Sequence, residues 1–418
     1  MNYSLPTIRL RKVVTKIGSG VTPAGGETAY VEKGVTFIRS QNVRESNLDL
    51  DDVAFITSTQ HQMMGGSKVA DLDVLLNITG ASIGRSCVVP IGTGEANVNQ
   101  HVCIIRPTDD LNPYFLSQFL NSHLGQEQIW SFQGGGSREG LNYVQIASFE
   151  IPSLPRKEQD SIASLLREWH SAIEKTERLI AAKQKRNESL SNRLLFGHAR
   201  LRQRNTGATR ALHWFSAPSD WQVVEIGKVA REVSALNSSD DGLPVLSCTK
   251  YDGLVDSLEY FDKQVFSHDT SKYKVVGRGQ FAYATNHIEE GSIGYQDFVG
   301  AGLVSPIYTV FQSDAKKIDD GYFYKLLKTE KLRQIFSART NSSVDRRGSL
   351  RWKDFARIHI PLPPLDEQRE INAVLDDAKR EIVLLQAQVE ALKKQKRGLM
   401  QKLLTGQWRV KAAETEAG

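Results

Sequence analysis

Two stretches of the chain carry apolar residues at seven-residue intervals, in two rows set four positions apart. In the later stretch, Ile360 to Gly406, the first row (371, 378, 385, 392, 399) reads Ile, Ala, Leu, Leu, Leu. The second row (375, 382, 389, 396, 403) reads Leu, Ile, Val, Lys, Leu. Rows at this spacing form one wide apolar stripe along a helix. The pattern lasts about five heptads, which is typical of a coiled coil, so the sequence predicts a helix of roughly 60 Å.

The earlier stretch, Ile151 to Gly197, has the same design. Its rows run from 162 to 190 and from 166 to 194, and Lys183 and Asn187 interrupt them midway. Polar residues inside a coiled-coil seam can fix the register of the pairing. Lys183 and Asn187 therefore indicate either looser pairing midway along the helix or a polar register lock in an otherwise apolar stripe.

The two stretches align without a gap at an offset of 209 residues, which is half of the 418-residue chain. Both begin with a proline-rich segment, "IPSLPRKEQ" or "IPLPPLDEQ", and close in "LLFG" or "LLTG". Proline should prevent helix before residues 155 and 364 and so set the angle at which each helix begins. The closing glycines, Gly197 and Gly406, predict the helix ends. The chain is thus predicted to be a tandem duplication whose two helices pair antiparallel, since a globular segment between them lets the chain turn back.

The globular halves repeat more weakly. "GASIGR" (Gly80 to Arg85) resembles "EGSIGY" (Glu290 to Tyr295), and "PYFLSQFL" resembles "GYFYKLLK". Runs such as "FITS", "DVLLNITG" and "HVCIIRP" predict strands. The predicted fold class is α/β: two small mixed α/β domains joined by two long helices that pair as an antiparallel intramolecular coiled coil, in a pseudo-twofold tandem repeat. The predicted boundaries are 1–150 and 206–356 for the globular domains, 151–205 and 357–410 for the helical regions, and 411–418 for a tail.

Composition agrees with a globular protein, at 40% hydrophobic and 24% charged residues. No apolar run approaches the roughly 18 residues that a membrane span needs, and the first residues lack the apolar core of a signal peptide. The three cysteines show neither metal-ligand spacing nor a disulfide framework. We expect a cytoplasmic protein without a membrane partner.

The formal net charge of +5 is small, but it is unevenly distributed. Residues 331–360 contain eight Lys/Arg and two Asp/Glu, and residues 156–210 contain thirteen and six. Such clusters attract a phosphate backbone, although a solvated helix face has the same composition.

Motifs of catalysis are missing from the sequence. "IGSG" and "QGGGS" lack the Lys-Ser/Thr of a phosphate loop, no histidine pair has zinc spacing, and no strand-GxGxxG-helix unit occurs. "NPYF" (Asn112 to Phe115) falls short of an adenine-methyltransferase tetrapeptide and predicts a helix start instead. The sequence therefore predicts a chain without catalytic residues, metal ligands or a cofactor of its own.

Loops in each globular half are suited to DNA. "RSQNVRES" (Arg39 to Ser46) and "QGGGSREGLNY" (Gln133 to Tyr143) lie in the first half, and "ARTNSSVDRRGSLRW" (Ala338 to Trp352) lies in the second. Arg, Gln and Asn can read base edges, and glycine allows close approach to a backbone. The candidate DNA-binding residues in these loops and in their counterparts across the repeat are Arg39, Gln41, Asn42, Arg44, Arg85, Arg138, Asn142, Lys250, Tyr251, Arg339, Asn341, Arg346, Arg347 and Arg351.

The duplicated "IPxxPxxEQ" followed by a long helix resembles the specificity (S) subunit of type I restriction–modification systems. "GASIGR" and "NVNQHVCIIRP" are similar to recurring segments of that family's target-recognition domains, and the resemblance covers nearly the whole chain. It implies that each globular domain is a target-recognition domain for one half of an asymmetric, bipartite double-stranded DNA site. It also implies that the paired helices set the spacing between the half-sites.

The same resemblance implies the partners. Two modification subunits would methylate adenines with S-adenosylmethionine, and two restriction subunits would add translocation and cleavage driven by ATP with Mg²⁺. Two other readings stay open from the residues alone. The first is a stand-alone methyltransferase or nuclease, which would need a methyl-donor or metal site. The second is a coiled-coil structural adaptor that does not read DNA, which would leave the basic loops unexplained.

Overall fold

The structure is a computed structural model, and it describes residues 5–23, 29–133, 140–201, 207–237, 242–341 and 348–410. By Cα packing the chain divides into two compact units, Met1–Leu179 with Leu385–Gly418, and Ile180–Leu384. The division runs through both long helices, because the start of one helix and the end of the other pack on the same globular domain. Those boundaries describe packing, so the segment boundaries expected from the repeat stay a prediction.

The first globular domain, hereafter the first head, precedes the first long helix. Its strands are β1 (Thr7–Arg9), β2 (Val14–Ser19), β3 (Val35–Ile38), β4 (Val43–Arg44), β5 (Asn47–Leu48), β6 (Ala54–Ile56), β7 (Val74–Asn77), β8 (Ser86–Val88), β9 (Ala96–Val98), β10 (Val102–Pro107) and β11 (Glu150–Pro152). Its helices are α1 (Ser58–Met63), α2 (Pro113–Asn121), α3 (His123–Ser131) and α4 (Tyr143–Ala147).

The main sheet of the first head has the order β2-β10-β7-β8, with all neighbours antiparallel. A second sheet, β6-β3-β9, contains a parallel pair between β3 and β9. The runs "FITS", "DVLLNITG" and "HVCIIRP" fall on β6, β7 and β10, so those strand predictions are confirmed. "NPYF" opens α2, with Asn112 as the N-cap that accepts a hydrogen bond from the Phe115 amide.

The first long helix is α5 (Arg156–Leu195), and the segment after it is the second head. The strands of the second head are β12 (Thr209–Ala211), β13 (Ser216–Pro218), β14 (Gln222–Glu225), β15 (Ala230–Val233), β16 (Leu246–Thr249), β17 (Gly253–Asp256), β18 (Lys274–Gly277), β19 (Phe281–Ala284), β20 (Ile293–Tyr295), β21 (Ala301–Val304), β22 (Tyr308–Ser313) and β23 (His359–Leu362). Its helices are α6 (Ser257–Phe261), α7 (Asp320–Leu327), α8 (Glu330–Asn341) and α9 (Trp352–Phe355), and the second long helix, α10 (Leu365–Leu404), follows.

The main sheet of the second head, β15-β22-β19-β20, has the same strand order and the same antiparallel pairing as the main sheet of the first head. In both heads an early strand also pairs with the strand that leads into the long helix, β1 with β11 and β14 with β23. The tandem duplication is thus present in the topology as well as in the sequence.

Both long helices contain 40 residues and begin directly after the prolines, at Arg156 and Leu365. They end at Leu195 and Leu404, and the glycine two residues later has a positive φ, 71° at Gly197 and 78° at Gly406. A Cβ on Gly197 would also lie 2.4 Å from the Pro218 ring. Glycine is therefore required there by both backbone conformation and packing.

Within each unit the two helix segments run antiparallel. In the first unit, Lys393 pairs with Glu177 at 2.9 Å, and Arg409, just past the end of α10, pairs with Glu158 at the start of α5. In the second unit, Lys183 pairs with Glu381 at 2.7 Å. The second seven-residue row of α10 is buried throughout, with exposed fractions of 9% or less at 375, 382, 389, 396 and 403. The predicted apolar stripe is therefore the seam of the pairing.

Each unit has a core shared by a head and the helices. The core of the first unit joins head residues such as Phe115 and Phe119 to Leu166 of α5 and Leu403 of α10. The core of the second unit joins Phe323 and Phe355 to residues at the end of α5 and the start of α10. None of the helices in the described ranges combines the length and apolarity that crossing a bilayer requires.

Candidate DNA interface

The first predicted reading loop, Arg39 to Ser46, begins beside an aromatic ring. The Arg39 guanidinium carbon lies 6.0 Å from the centroid of Tyr30, and the Arg39 Nε is buried without a hydrogen-bond partner among the described residues. Gln41 is exposed, and its side-chain amide donates to Asp52 at 3.3 Å. Gln41 is therefore exposed at the start of this loop, whereas Arg39 is half-buried beside Tyr30.

Asn42 has a structural role in the same loop. It is 2% exposed, and its Oδ1 accepts a hydrogen bond from the Arg39 amide at 2.9 Å. Its Nδ2 donates to the carbonyls of Asp49 and Asp52. A buried amide with these partners holds the loop in shape, and in this conformation it does not reach the surface.

The end of the loop turns toward the helices. Arg44 is exposed and lies 3.6 Å from Asp49. The Ser46 hydroxyl accepts hydrogen bonds from Gln118 and Asn121 of α2. Within this segment Gln41 and Arg44 are exposed, whereas Ser46 is fixed to α2.

The loop is tied to "GASIGR", where Arg85 is exposed. Asn77 donates to the Ser40 carbonyl at 2.9 Å and to the Ser82 hydroxyl at 3.0 Å. The structure therefore brings two segments together that stand about forty positions apart in the sequence.

The glycine-rich loop of the first head lies partly outside the described residues, and Arg138 is among the positions not described. Asn142 is the N-cap of α4, where its Oδ1 accepts from the Gln145 amide at 2.9 Å. Gly140 bridges to Thr79, which stands just before "GASIGR". The end of the glycine-rich loop thus adjoins the other candidate segments.

A polar chain that the sequence reading missed continues from the same place. The Thr79 hydroxyl contacts His101 Nδ1 at 2.6 Å, and His101 Nε2 lies 3.1 Å from the Gln100 side-chain amide. Gln100 accepts in turn from the Thr22 hydroxyl. The signal was present in "NVNQH", where polar residues stand directly before a strand, but only the fold shows that they connect.

In the second head, Lys250 and Tyr251 occupy the turn after β16 and are exposed, Tyr251 at 79%. Lys328 Nζ donates to the Lys250 carbonyl at 2.6 Å and to the Gly291 carbonyl at 2.9 Å, and burial lowers the pKa of Lys328. This lysine joins the turn to "EGSIGY", as Asn77 joins the equivalent segments in the first head.

The basic segment of the second head is described in part. Arg339 is exposed in the last turn of α8, and Arg351 is the exposed N-cap of α9. Leu350 donates its amide to the Thr285 carbonyl, which fixes Arg351 close to the end of β19. Asn341 is the last residue of α8, and Arg346 and Arg347 lie outside the described residues.

The described residues offer little for a metal ion. One group of potential ligands, His287, Glu289 and Glu290, places its atoms within 4.8 Å of one another in the described ranges. It lies on the short turn Ile288–Glu290, where His287 and Glu290 are exposed. Exposed carboxylates of this kind occur widely without a metal ion, so the group does not define a site.

The repeated Glu-Gln of the helix motif connects each head to its helix. Gln159 accepts from the Asn112 amide at 2.8 Å and donates to the carbonyls of Asp110 and Leu154. Its counterpart Gln368 accepts from the Asp319 amide at 2.8 Å, and it donates to the carbonyls of Lys317 and Pro363. Asn112 and Asp319 are the N-caps of α2 and α7. Each glutamine therefore joins the first turn of a long helix to the corresponding helix of its head.

The glutamate of each motif joins the two long helices. Glu158 accepts from Arg409 Nε and Nη2, both at 2.6 Å. Glu367 accepts from Arg200 Nε at 2.5 Å and Nη2 at 2.8 Å, and from Trp221 Nε1 at 3.2 Å. The sequence alignment places Glu158 opposite Glu367 across the repeat, but it does not show that each glutamate contacts the segment after the other helix.

Comparison with known proteins agrees with this architecture. The family model described as "Type I restriction modification DNA specificity domain" matches residues 31–184 and 218–394. A putative type I restriction enzyme MjaX specificity subunit from Methanocaldococcus jannaschii is 22% identical over 96% of this chain and 93% of its own length. The MjaVIII specificity subunit of the same organism is 31% identical over 47% of this chain and 44% of its own length.

Solved structures share the fold at low sequence identity. The HsdS subunit from Thermoanaerobacter tengcongensis has a TM-score of 0.51 at 18% identity and covers 97% of this chain and 99% of its own. The type I S subunit from M. genitalium has a TM-score of 0.55 at 14% identity, with 96% of each chain covered. A chain from a study of assembly and conformational transition in the type I R-M system reaches 0.58 at 17% identity, over 97% and 100%.

The family match decides between the readings that the residues alone left open. It covers both heads and most of both helices, and its description is of a DNA specificity domain, which a structural adaptor without DNA recognition would not match. The chain therefore belongs to the type I restriction–modification DNA specificity family, as a specificity subunit that is itself non-catalytic.

Proposed function

We propose that each head binds one half of an asymmetric, bipartite double-stranded DNA site, and that α5 and α10 set the distance between the halves. The proposed segments are target-recognition domain 1 (1–150), a central helical region (151–205), target-recognition domain 2 (206–356), a distal helical region (357–410) and a tail (411–418). The observation that carries this proposal is the junction that the fold builds twice. Gln159 and Gln368 make equivalent hydrogen bonds, whereas the exposed loops of the two heads differ in sequence.

Each head is held on its long helix by an equivalent junction, while the exposed loops of the two heads differ. This arrangement suits the recognition of two different half-sites by two heads held in the same way. Readers with two DNA-contacting elements meet successive major-groove faces about 34 Å apart. The contacts proposed for the first head come from Arg39, Gln41, Arg44, Arg85, Arg138 and Asn142, with Asn42 supporting the loop. Those proposed for the second head come from Lys250, Tyr251, Arg339, Asn341, Arg346, Arg347 and Arg351.

The chemistry would come from partner subunits. We propose that two modification subunits dock on this chain and methylate adenines with S-adenosylmethionine, and that two restriction subunits add ATP- and Mg²⁺-dependent translocation and cleavage. The complex would act in the cytoplasm, where its DNA substrate is found. Each unit contains one copy of the antiparallel helix pairing, so the chain provides two equivalent surfaces on which a modification subunit would dock.

The test is to co-express this chain with the modification subunit of its own system and to map methylated adenines by long-read sequencing. We expect a split motif with a fixed gap and two different halves. A contiguous or palindromic motif would contradict the proposal. Arg39→Ala and Arg351→Ala serve as controls for each other, because each should relax the sequence requirement in one half-site and leave the other half unchanged.

A further inference from the structure

A cleft of about 480 Å³ lies in the first unit, where the first head meets α5 and α10. Glu45 and Ser122 line it from the head, Glu174 from α5, and Lys396 and Arg397 from α10. Its volume falls in the range of ligand-binding sites, which is about 300–1,000 Å³. Its wall is formed by charged and polar residues with a few apolar ones between them.

Lys396 is the unusual residue of this cleft. It is 6% exposed and occupies the buried row of α10, between Val389 and Leu403, which are 4% and 2% exposed. No hydrogen bond or ion pair of its ammonium group involves a described residue. Burial lowers its pKa, with Glu45 and Glu174 acting on it at longer range in the opposite sense.

Two other lysines of the helix pairing, Lys183 and Lys393, are ion-paired. Lys393 also lines the cleft, and it contacts Glu177 at 2.9 Å and Glu390 at 3.4 Å. A buried charge without a partner is destabilising, and an apolar side chain of similar volume in its place often stabilises a protein. Lys396 is therefore a largely buried lysine that lines an open cleft, and its ammonium donates to none of the described residues.

The second unit contains the equivalent cleft, of about 470 Å³. Asn187 occupies the position of Lys396 in the repeat, and Gln184 and Glu188 occupy those of Lys393 and Arg397. The Asn187 Oδ1 is buried, and it accepts no hydrogen bond from a described residue. The fold thus builds a cleft in each unit with repeat-equivalent helix residues in its wall, Lys396 in the first and Asn187 in the second.

The lysines that line the second cleft already form ion pairs or hydrogen bonds within the chain. Lys325 pairs with Asp376 at 2.7 Å, and Lys328 donates to two backbone carbonyls. The two clefts are therefore alike in volume and in the repeat positions that line them, but they differ in the cations that remain without an ion-pair partner among the described residues.

We infer that the Lys396 cleft receives a carboxylate side chain of the modification subunit, which pairs with Lys396 and Arg397 when that subunit docks. This inference rests on the docking proposed above. A partner that binds both units through repeated surfaces would place the same acidic group at both clefts. There it would meet an ammonium in the first unit and the neutral amide of Asn187 in the second. The two copies of the partner would then bind with unequal affinity and unequal salt dependence.

The decisive variant is Lys396→Met, which keeps the volume and removes the charge. In the full chain alone it should raise the melting temperature, because it removes an ammonium that burial desolvates and that no described residue ion-pairs. In the complex with the modification subunit, it should weaken binding of the first copy by at least tenfold and reduce the salt dependence of that step. Native mass spectrometry over a dilution series at two salt concentrations measures both. Lys393→Met is the matched control, since that lysine is already paired, and it should change the affinity less than threefold.

Other outcomes of these binding measurements distinguish a failure of the Lys396 inference from a failure of the docking proposal. Lys396→Arg should keep the binding, because it keeps the charge. If wild-type chain binds the subunit and Lys396→Met binds equally well, this inference fails while the docking proposal stands. If the wild-type chain binds no modification subunit, the docking proposal fails first. If inorganic phosphate stabilises the wild-type chain alone but not Lys396→Met, the cleft is a site for a free anion and the partner carboxylate is overturned.

Discussion

Arg200 and Glu367 form a two-pronged ion pair in which the side chains are 4% and 1% exposed. Arg409 and Glu158 form the repeat-equivalent pair, but there the arginine side chain is 58% exposed. Each pair joins the start of one long helix to the segment after the other. An arginine–glutamate ion pair therefore stands at each end of the helix pairing. The arginine is buried in one pair and exposed in the other.

The difference in burial predicts a difference in stability. Arg200→Ala would remove the ion-pair partner of the buried Glu367 carboxylate and leave Trp221 Nε1 among its donors. We expect a loss of about 3–5 kcal/mol in the free energy of unfolding. Arg409→Ala should destabilise the chain clearly less, because water can reach the Glu158 pair. Urea unfolding of the two variants makes the comparison, and equal losses would contradict the assignment of the two environments.

The glutamine junctions give a second prediction. Gln159→Ala removes three hydrogen bonds at a 4% exposed site and leaves the Asn112 amide unpaired. We expect a loss of about 2–3 kcal/mol in the free energy of unfolding, since buried unsatisfied groups are costly. Gln388→Ala, at an exposed position of α10, is the control and should stay within about 0.5 kcal/mol of wild type. A Gln159 variant as stable as the control would show that this junction does not hold the head.

Lys183 interrupts the stripe of α5 and pairs with Glu381 at 2.7 Å, with side chains 19% and 48% exposed. The contact is what a polar register lock requires. A double-mutant cycle with Lys183→Ala and Glu381→Ala should give a coupling of about 0.5–1 kcal/mol that falls as salt is added. A coupling energy near zero at low salt would show that this ion pair does not help to fix the register of the two helices.

Lys396 predicts a pH dependence. Below its lowered folded-state pKa the ammonium is charged in both the folded and unfolded states, and the full burial penalty applies. Between that value and the ordinary 10.5, the unfolded chain binds more protons than the folded chain, so stability rises with pH through this group. The groups around it are Glu45 and Glu174, which favour the charged form, and His170, whose own pKa is also lowered by burial.

The consequence is measurable as a difference between two proteins. The stability advantage of Lys396→Met over wild type should be largest near neutral pH and should shrink as pH rises toward 10.5. Thermal unfolding in matched buffers across this range gives the difference directly. An advantage that is independent of pH would mean that the lysine keeps its proton through the whole range or is not buried.

Arg39 predicts an effect on DNA affinity. If the side chain contacts a phosphate, Arg39→Ala should lower the salt slope of binding by about 1 on a log–log plot. If it reads a base, the slope should stay nearly the same while discrimination at one position is lost. Fluorescence anisotropy at several salt concentrations with site and mismatched duplexes separates the two, and no change in either would exclude Arg39 from the interface.

Much of the helical frame was predictable because its signals are local. The seven-residue rows, the prolines before residues 156 and 365, and the two closing glycines all act through neighbours within a few turns. The strands of the "FITS", "DVLLNITG" and "HVCIIRP" runs followed from short-range patterns in the same way. Contacts between distant segments were not predictable on this basis, as the chain from Thr79 through His101 and Gln100 to Thr22 shows.

Sequence alone determined the duplication, the two long helices with their limits, the mixed α/β heads and the resemblance to specificity subunits. Tertiary structure decided that Asn42 supports its loop from within and that each glutamate of the repeated motif meets an arginine beyond the end of the other helix. It also decided that Lys396 is 6% exposed and makes no ion pair with a described residue. The physical reason is one of range. Helix periodicity and capping depend on residues a few positions apart, whereas burial and pairing depend on surfaces that meet only after the chain has folded back, here across 251 positions between Glu158 and Arg409.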